Sequence, residues 1–236
     1  MILLVCRQCR RATIGRRGLC TAAEDKYLEL KQLKDIKSVR FYEEQSQKRR
    51  YFYYIDLQGR LFLEDTRPKN IATSLKSAKF LRFFFSQVQP NSILQCNVKD
   101  EEQFLDYPYR SPCGKETNFI KCADRPLVFE DLRRDDISGK WMLSFGGGEL
   151  AMPFLPDTLR ISLSTGRLYH DVETKHIASG TSEGVALVRS QLAVELGKHI
   201  DVPNFPDGYV AKKDITSIEV GDFKWCNQRY AIHAIE

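Results

Sequence analysis

"YFYYIDLQGRLFLED", Tyr51 to Asp65, decides the fold. Aromatic and branched residues crowd both sides of Gln58-Gly59, and glycine takes the positive φ that a tight hairpin turn needs. The stretch therefore predicts two strands joined by a turn. After the turn-like "DTRPKN" (65–70) comes "SLKSAKFLRFFFSQVQP" (74–90). There Phe80, Leu81, Phe84, Phe85 and Val88 recur at helical spacing, and Pro90 marks the end.

The second half carries the same order of signals. "TLRISLSTGRLYHDV" (158–172) reads as strand, glycine turn and strand, and "SEGVALVRSQLAVELGKHI" (182–200) as a helix. Its stripe is Val185, Val188, Leu192 and Leu196, with Gly197 as the C-cap candidate. A gapless shift of 107 residues lays Gly59-Arg60-Leu61-Phe62 on Gly166-Arg167-Leu168-Tyr169, and Phe80-Leu81-Arg82 on Leu187-Val188-Arg189. Repeats are a fold-level signal. The expected class is α+β, with two tandem units, each a small antiparallel sheet with one packed helix. "NFIKCADRPLVFE" in the first unit, and "YVAKKDITSIEV" with "QRYAIHAI" in the second, supply the remaining strands. The expected boundaries are a leader over 1–20, a polar linker or surface helix over 21–49, and units over 50–139 and 140–236.

Several blocks in one order ("YFYYIDLQGRLFLED", "CGKETNFIKCADRPLVF", "GGGELAMPF", "GRLYH" and "ALVRSQLAVEL") resemble an uncharacterised protein family. It is known from animals and bacteria and is represented in human by a chromosome-eight open-reading-frame product. The resemblance spans about Arg50 to Leu196 and implies a mitochondrial setting in animals; the family brings no activity with it. "DRPLVF" and "VALVRSQLAVEL" are also similar to blocks of a bacterial family of unknown function built from two repeated α+β units. That likeness supports the duplication and nothing chemical.

The chain has 236 residues, 42% of them hydrophobic and 28% charged, enough to bury a core as one large domain or two small ones. No apolar run approaches the roughly 18 residues of a membrane-spanning helix, so a soluble chain is expected. "MILLVCRQCRRATIGRRGLC" (1–20) holds Arg7, Arg10, Arg11, Arg16 and Arg17, and no acid precedes Glu24. That is the composition of a mitochondrial transit peptide; the alternative is a disordered basic tail. The formal net charge is +5, and these five arginines account for all of it. A neutral body lacks the electrostatic footprint of a nucleic-acid binder. The local exception is Lys48, Arg49 and Arg50 beside Tyr51, Phe52, Tyr53 and Tyr54, which reads as a solvated strand end or as a stacking platform for single-stranded RNA.

Little else looks like chemistry. Gly146-Gly147-Gly148 is followed by Glu149, which repels phosphate, and Pro153 would break a young helix, so the glycines read as a turn and not a nucleotide loop. Glycine still lets a ligand approach the backbone, which makes Gly147 and Glu149 candidate binding residues. Asp124 and Arg125, ahead of Pro126, read as a local ion pair or a ligand clamp. Glu116 is a possible partner carboxylate, and His170 reads as a structural histidine or a site residue. The seven cysteines show no pair of close-spaced pairs, so no metal or other cofactor is expected. Two functions stay open: a non-catalytic module binding a protein partner or small molecule between its units, and an enzyme gathering Asp124, Glu149 and His170 at their junction.

The leader's composition predicts import into mitochondria with loss of about the first twenty residues. N-terminal sequencing of the protein recovered from cells checks this; intact Met1 on a cytosolic protein contradicts it.

Overall fold

The computed structural model describes residues 36–92, 104–172, 184–202 and 218–235. The leader, nearly all of "YLELKQLKDI" (27–36) and most of "YVAKKDITSIEV" lie outside the described residues. The chain is α+β and mostly sheet. No described helix is long and apolar enough to cross a membrane.

Helix α1 (Val39–Gln47) starts on Ser38, whose hydroxyl accepts the Phe41 N–H at 3.3 Å. It leads into β1 (Arg50–Ile55), which pairs antiparallel with β2 (Leu61–Leu63), Tyr54 opposite Phe62. The turn between them closes on Asp56, whose carboxylate accepts the Gln58 and Arg60 N–H groups, while Gly59 adopts φ +79°. On its other side β1 runs parallel to β5 (Glu116–Cys122); β5 pairs antiparallel with β4 (Tyr109–Cys113), and β4 with β3 (Gln89–Pro90).

β1 is covered on both faces. Alternation sends Phe52 into an aromatic cluster with Phe104, Tyr107 and Phe119, while Tyr53 and Ile55 enter the main core beneath α2 (Ala78–Ser86). Tyr53 meets Phe84 of α2 edge-on with ring centroids 5.0 Å apart. Strands buried twice over read as uninterrupted apolar runs, as "YFYYI" does. Of the four aromatics beside Lys48–Arg50, Phe52, Tyr53 and Tyr54 are buried and Tyr51 is half-buried.

In the second sheet β10 (Leu159–Ser162) pairs antiparallel with β11 (Leu168–Asp171) and parallel with β15 (Gln228–Ile235). β15 continues antiparallel to β14 (Glu219–Trp225) and β14 to β13 (Ile200–Asp201). The order β11-β10-β15-β14-β13 has the connectivity of β2-β1-β5-β4-β3, and a helix precedes the last-named strand of each. Beyond β11 the second sheet adds β12 (Val185–Val188), and β6 (Val128–Phe129) parallel to it. A third, antiparallel sheet of β7 (Asp131–Arg134), β8 (Trp141–Phe145) and β9 (Leu150–Pro153) turns through Gly146, Gly147 and Gly148, all with positive φ.

Three expectations are corrected. Both large sheets are mixed, not antiparallel, because each hairpin also pairs in parallel with a strand from much later in the chain. Val185–Val188 is a strand, and helix α3 spans only Ser190–Gly197. A four-residue apolar run with valine at both ends is ambiguous in periodicity, and here β11 and β6 hydrogen-bond it from either side. Gly197 is accordingly the last helical residue, with Lys198 at the C-cap. The gapless match also fails. The second turn is one residue longer, closing Ser162 on Arg167 where the first closes Asp56 on Arg60, and β12 intervenes before the helix.

The expected stripe is mostly buried: Leu81, Phe84 and Phe85 on α2 and Val88 just past its end are buried, while Phe80 is half-buried. Phe84 is 1% exposed, so Phe84→Ala is expected to cost about 3–5 kcal/mol in denaturant unfolding. Gly148→Ala, at φ +81° with nothing near its missing Cβ, is expected to cost about 1 kcal/mol from backbone strain. Gly146→Ala is expected to cost more in the same measurement, because its Cβ would stand 3.1 Å from the Phe85 ring.

Candidate functional site

Three backbone turns and one helix enclose a cleft of about 390 Å³. The β1–β2 turn contributes Gly59 and Arg60, the segment leading to α2 contributes Ser74, Leu75 and Lys76, and α2 itself contributes Leu81. The opposite wall is Glu130, Gly147 and Arg189. This wall follows from strand pairing. β6 and β12 run parallel with Phe129 beside Val188, so the next residues of the two strands, Glu130 and Arg189, emerge together. Backbone bonds hold both: the Arg189 N–H donates to Phe129 and the Glu130 N–H to Ser144. The volume is at the lower end of the range that encloses small ligands.

The polar groups of the cleft are unequally matched. Arg60 is held by Asp56, Nε to Oδ2 at 2.6 Å. One Glu130 oxygen accepts the Gly147 N–H at 2.7 Å. Burial pushes the Glu130 carboxyl above its usual range, opposed by that hydrogen bond and by the attraction of Arg189. Arg189 Nε is buried and has no hydrogen-bond partner among the described residues. Lys76 is exposed and forms no ion pair among them. Gly147 fits because its missing Cβ would lie 2.8 Å from Leu81 Cδ1, so the turn rests directly on α2.

Of the residues singled out in the sequence, Gly147 lines this cleft. Asp124 and Arg125 lie in a different cluster. Asp124 Oδ2 accepts from Arg167 and from the Tyr169 hydroxyl, each at 2.8 Å, with Arg125 Nε 3.7 Å from Oδ1 and its guanidinium over the Tyr169 ring. Glu149 is exposed in the glycine turn, and Glu116 stands 3.9 Å from Arg49. His170 is fully buried between Phe154 and Phe129, with Nε2 accepting the Leu155 N–H at 2.9 Å. Its Nδ1 faces the Asp171 carbonyl, so the neutral ring protonated at Nδ1 satisfies both contacts. Tyr169 and His170 are consecutive on β11 and leave opposite faces, which parts His170 from the Asp124 cluster. No hydrogen bond or ion pair joins Asp124, Glu149 and His170.

Lys76, Glu130 and Arg189 were not legible as a site. The available signal was the charge of Arg189 and Glu130, each ending an apolar run ("VALVR", "PLVFE"). A buried carboxylate outside the cleft, Glu64, is fully occupied. It accepts from the Tyr42 and Tyr107 hydroxyls at 2.9 and 2.7 Å and lies 3.1 Å from Lys121 Nζ. Burial and Glu64 together push the Tyr107 hydroxyl far above its ordinary range. Burial also pushes the Cys122 thiol up to about 12, which leaves it unreactive at neutral pH.

Residues 42–234 match the family described as "Domain of unknown function (DUF4505)", and the chain belongs to that family. Two solved structures are similar at a distance, both described as DUF1285 family proteins. The one from Silicibacter pomeroyi DSS-3 has a TM-score of 0.41 at 13% identity, covering 87% of this chain and 94% of that chain. The one from Shewanella baltica OS155 has a TM-score of 0.33 at 17% identity, covering 61% and 89%.

Burial lowers the His170 pKa below its ordinary 6.5, so folding favours the neutral ring. The stability this confers is complete above about pH 6.5 and declines as the pH falls below it. Urea unfolding at pH 7.5 and 5.5 is expected to show a smaller loss in His170→Gln than in the natural protein.

Proposed function

As a member of that family, the protein is, we propose, a non-catalytic module that binds a small ligand in the cleft between the β1–β2 turn, α2 and the glycine turn. The observation that carries this reading is the Arg189 Nε, buried at the cleft wall with no partner among the described residues. Buried donors are nearly always satisfied, and an unsatisfied one costs about 1–3 kcal/mol, so a ligand toward which the Arg189 guanidinium turns this Nε relieves that cost. Glycine at two of the enclosing turns supports the same reading, because it exposes backbone to an incoming molecule.

Two tandem units, 50–139 and 140–236, are part of this proposal. The common strand order of the large sheets supports them, and the ligand then sits between units, with Gly59, Lys76 and Leu81 from one and Gly147 and Arg189 from the other. The Arg-rich, acid-free leader supports a mitochondrial setting. The enzyme reading has less support, since Asp124 and His170 are each spent on separate structural contacts.

The Gly147 amide, bonded to Glu130 inside the cleft, is a built-in reporter. In ¹H–¹⁵N NMR with a mixed-charge fragment library, the expected shifts gather at Gly59, Ser74, Gly147 and Arg189. Shifts gathered instead around Asp124 and Glu149, accompanied by turnover of a fragment, would replace this proposal with the enzyme.

A further inference from the structure

We propose that the ligand of this cleft is a small organic oxyanion, a carboxylate or phosphate head on a short apolar body, received by Arg189 and Lys76. The inference rests on the binding reading above and adds the class of ligand. Three cations line the cleft, Arg60, Lys76 and Arg189, against one lining carboxylate. Arg60 is already neutralised by Asp56. Glu130 spends an oxygen on the Gly147 N–H and also attracts Arg189. Two cations, Arg189 and Lys76, thus face a single lining carboxylate, and the cleft keeps one positive charge in excess. A guanidinium presents several N–H donors in a planar fork, which an oxyanion fills with charge-assisted hydrogen bonds.

The floor sets the remainder of the ligand. Exposed Ile71 and half-buried Leu75 present the aliphatic surface of the cleft, while Leu61 and Leu81 are nearly fully buried and add little to it. A wholly polar ligand such as free phosphate would leave that floor in water. A short alkyl chain covers it and gains about 0.8 kcal/mol per buried methylene, which is close to fourfold in affinity. The volume admits such a chain with a single head group.

The full chain is titrated calorimetrically with hexanoate, hexyl phosphate, hexylamine, hexanol and inorganic phosphate, with the Gly147 amide followed by NMR. Hexanoate or hexyl phosphate is expected to bind at least tenfold more tightly than hexylamine, hexanol or inorganic phosphate, and the stronger of the two identifies the head group. Arg189→Met is expected to weaken that binding about tenfold or more. Lys76→Met, on the exposed rim, is expected to weaken it severalfold and serves where Arg189→Met does not fold. Glu130→Gln, which keeps an acceptor for Gly147, is expected to tighten it. Binding indifferent to the head group, or unchanged in both cation variants, overturns the oxyanion while leaving the binding cleft intact. Inorganic phosphate binding as tightly as hexyl phosphate overturns the apolar body. If the Gly147 amide responds to none of these probes and to no fragment of any charge, the binding reading itself falls.

Discussion

The double burial of β1 is the constraint on which the first half of the molecule depends. Phe52 serves one cluster and Tyr53 and Ile55 the other, so a one-residue slip against β5 would exchange the two sets and strand each in the wrong environment. Each of these side chains contributes roughly 1.5–3 kcal/mol by leaving water. Because β1 pairs in parallel with β5, the chain between them must cross over, and that crossover carries α2, β3 and β4. The helix thus packs on the same strand whose pairing created the crossover.

The second sheet uses β10 in the same position but extends further. Its β11 edge is covered by β12, and β12 is covered in turn by β6, a strand that follows the first sheet in the chain. β6 belongs to one core cluster that includes both Tyr53 of the first sheet and Ile235 of the second. It also fixes the candidate site, since the residues immediately after the paired β6 and β12 are Glu130 and Arg189. A charge that follows a buried strand has little freedom: its backbone is already spoken for, and only its side chain can seek a partner. Arg189 has its N–H on Phe129 and its Nε without one.

The glycine turn completes the enclosure for a steric reason. A side chain at Gly146 would press on Phe85 and one at Gly147 on Leu81, so the turn can seat on α2 only without Cβ atoms. The same closeness lets the Gly147 N–H reach Glu130 and sets that carboxylate at the cleft wall. Packing and site geometry therefore share one origin, the absence of side chains where the third sheet meets the first helix of the core.

Local signals were sufficient for both hairpins, for α2 and for the triple-glycine turn. Each is decided by side-chain alternation, helical spacing or positive φ within a few residues, and those preferences act before distant segments meet. The sequence alone also made His170 a structural candidate and read the glycines as a turn, because Glu149 and Pro153 stand beside them. Parallel pairing was not legible, since β1 and β5, like β10 and β15, are joined by hydrogen bonds between segments more than sixty residues apart. The strand character of Val185–Val188 was hidden for the same reason: an apolar run of four suits helix or strand, and only its neighbours β11 and β6 choose. The cleft belongs wholly to this second category. Lys76, Glu130, Gly147 and Arg189 are scattered over more than a hundred positions, and nothing in the local chemistry of any one of them announces the others. Tertiary pairing alone brings them to one wall.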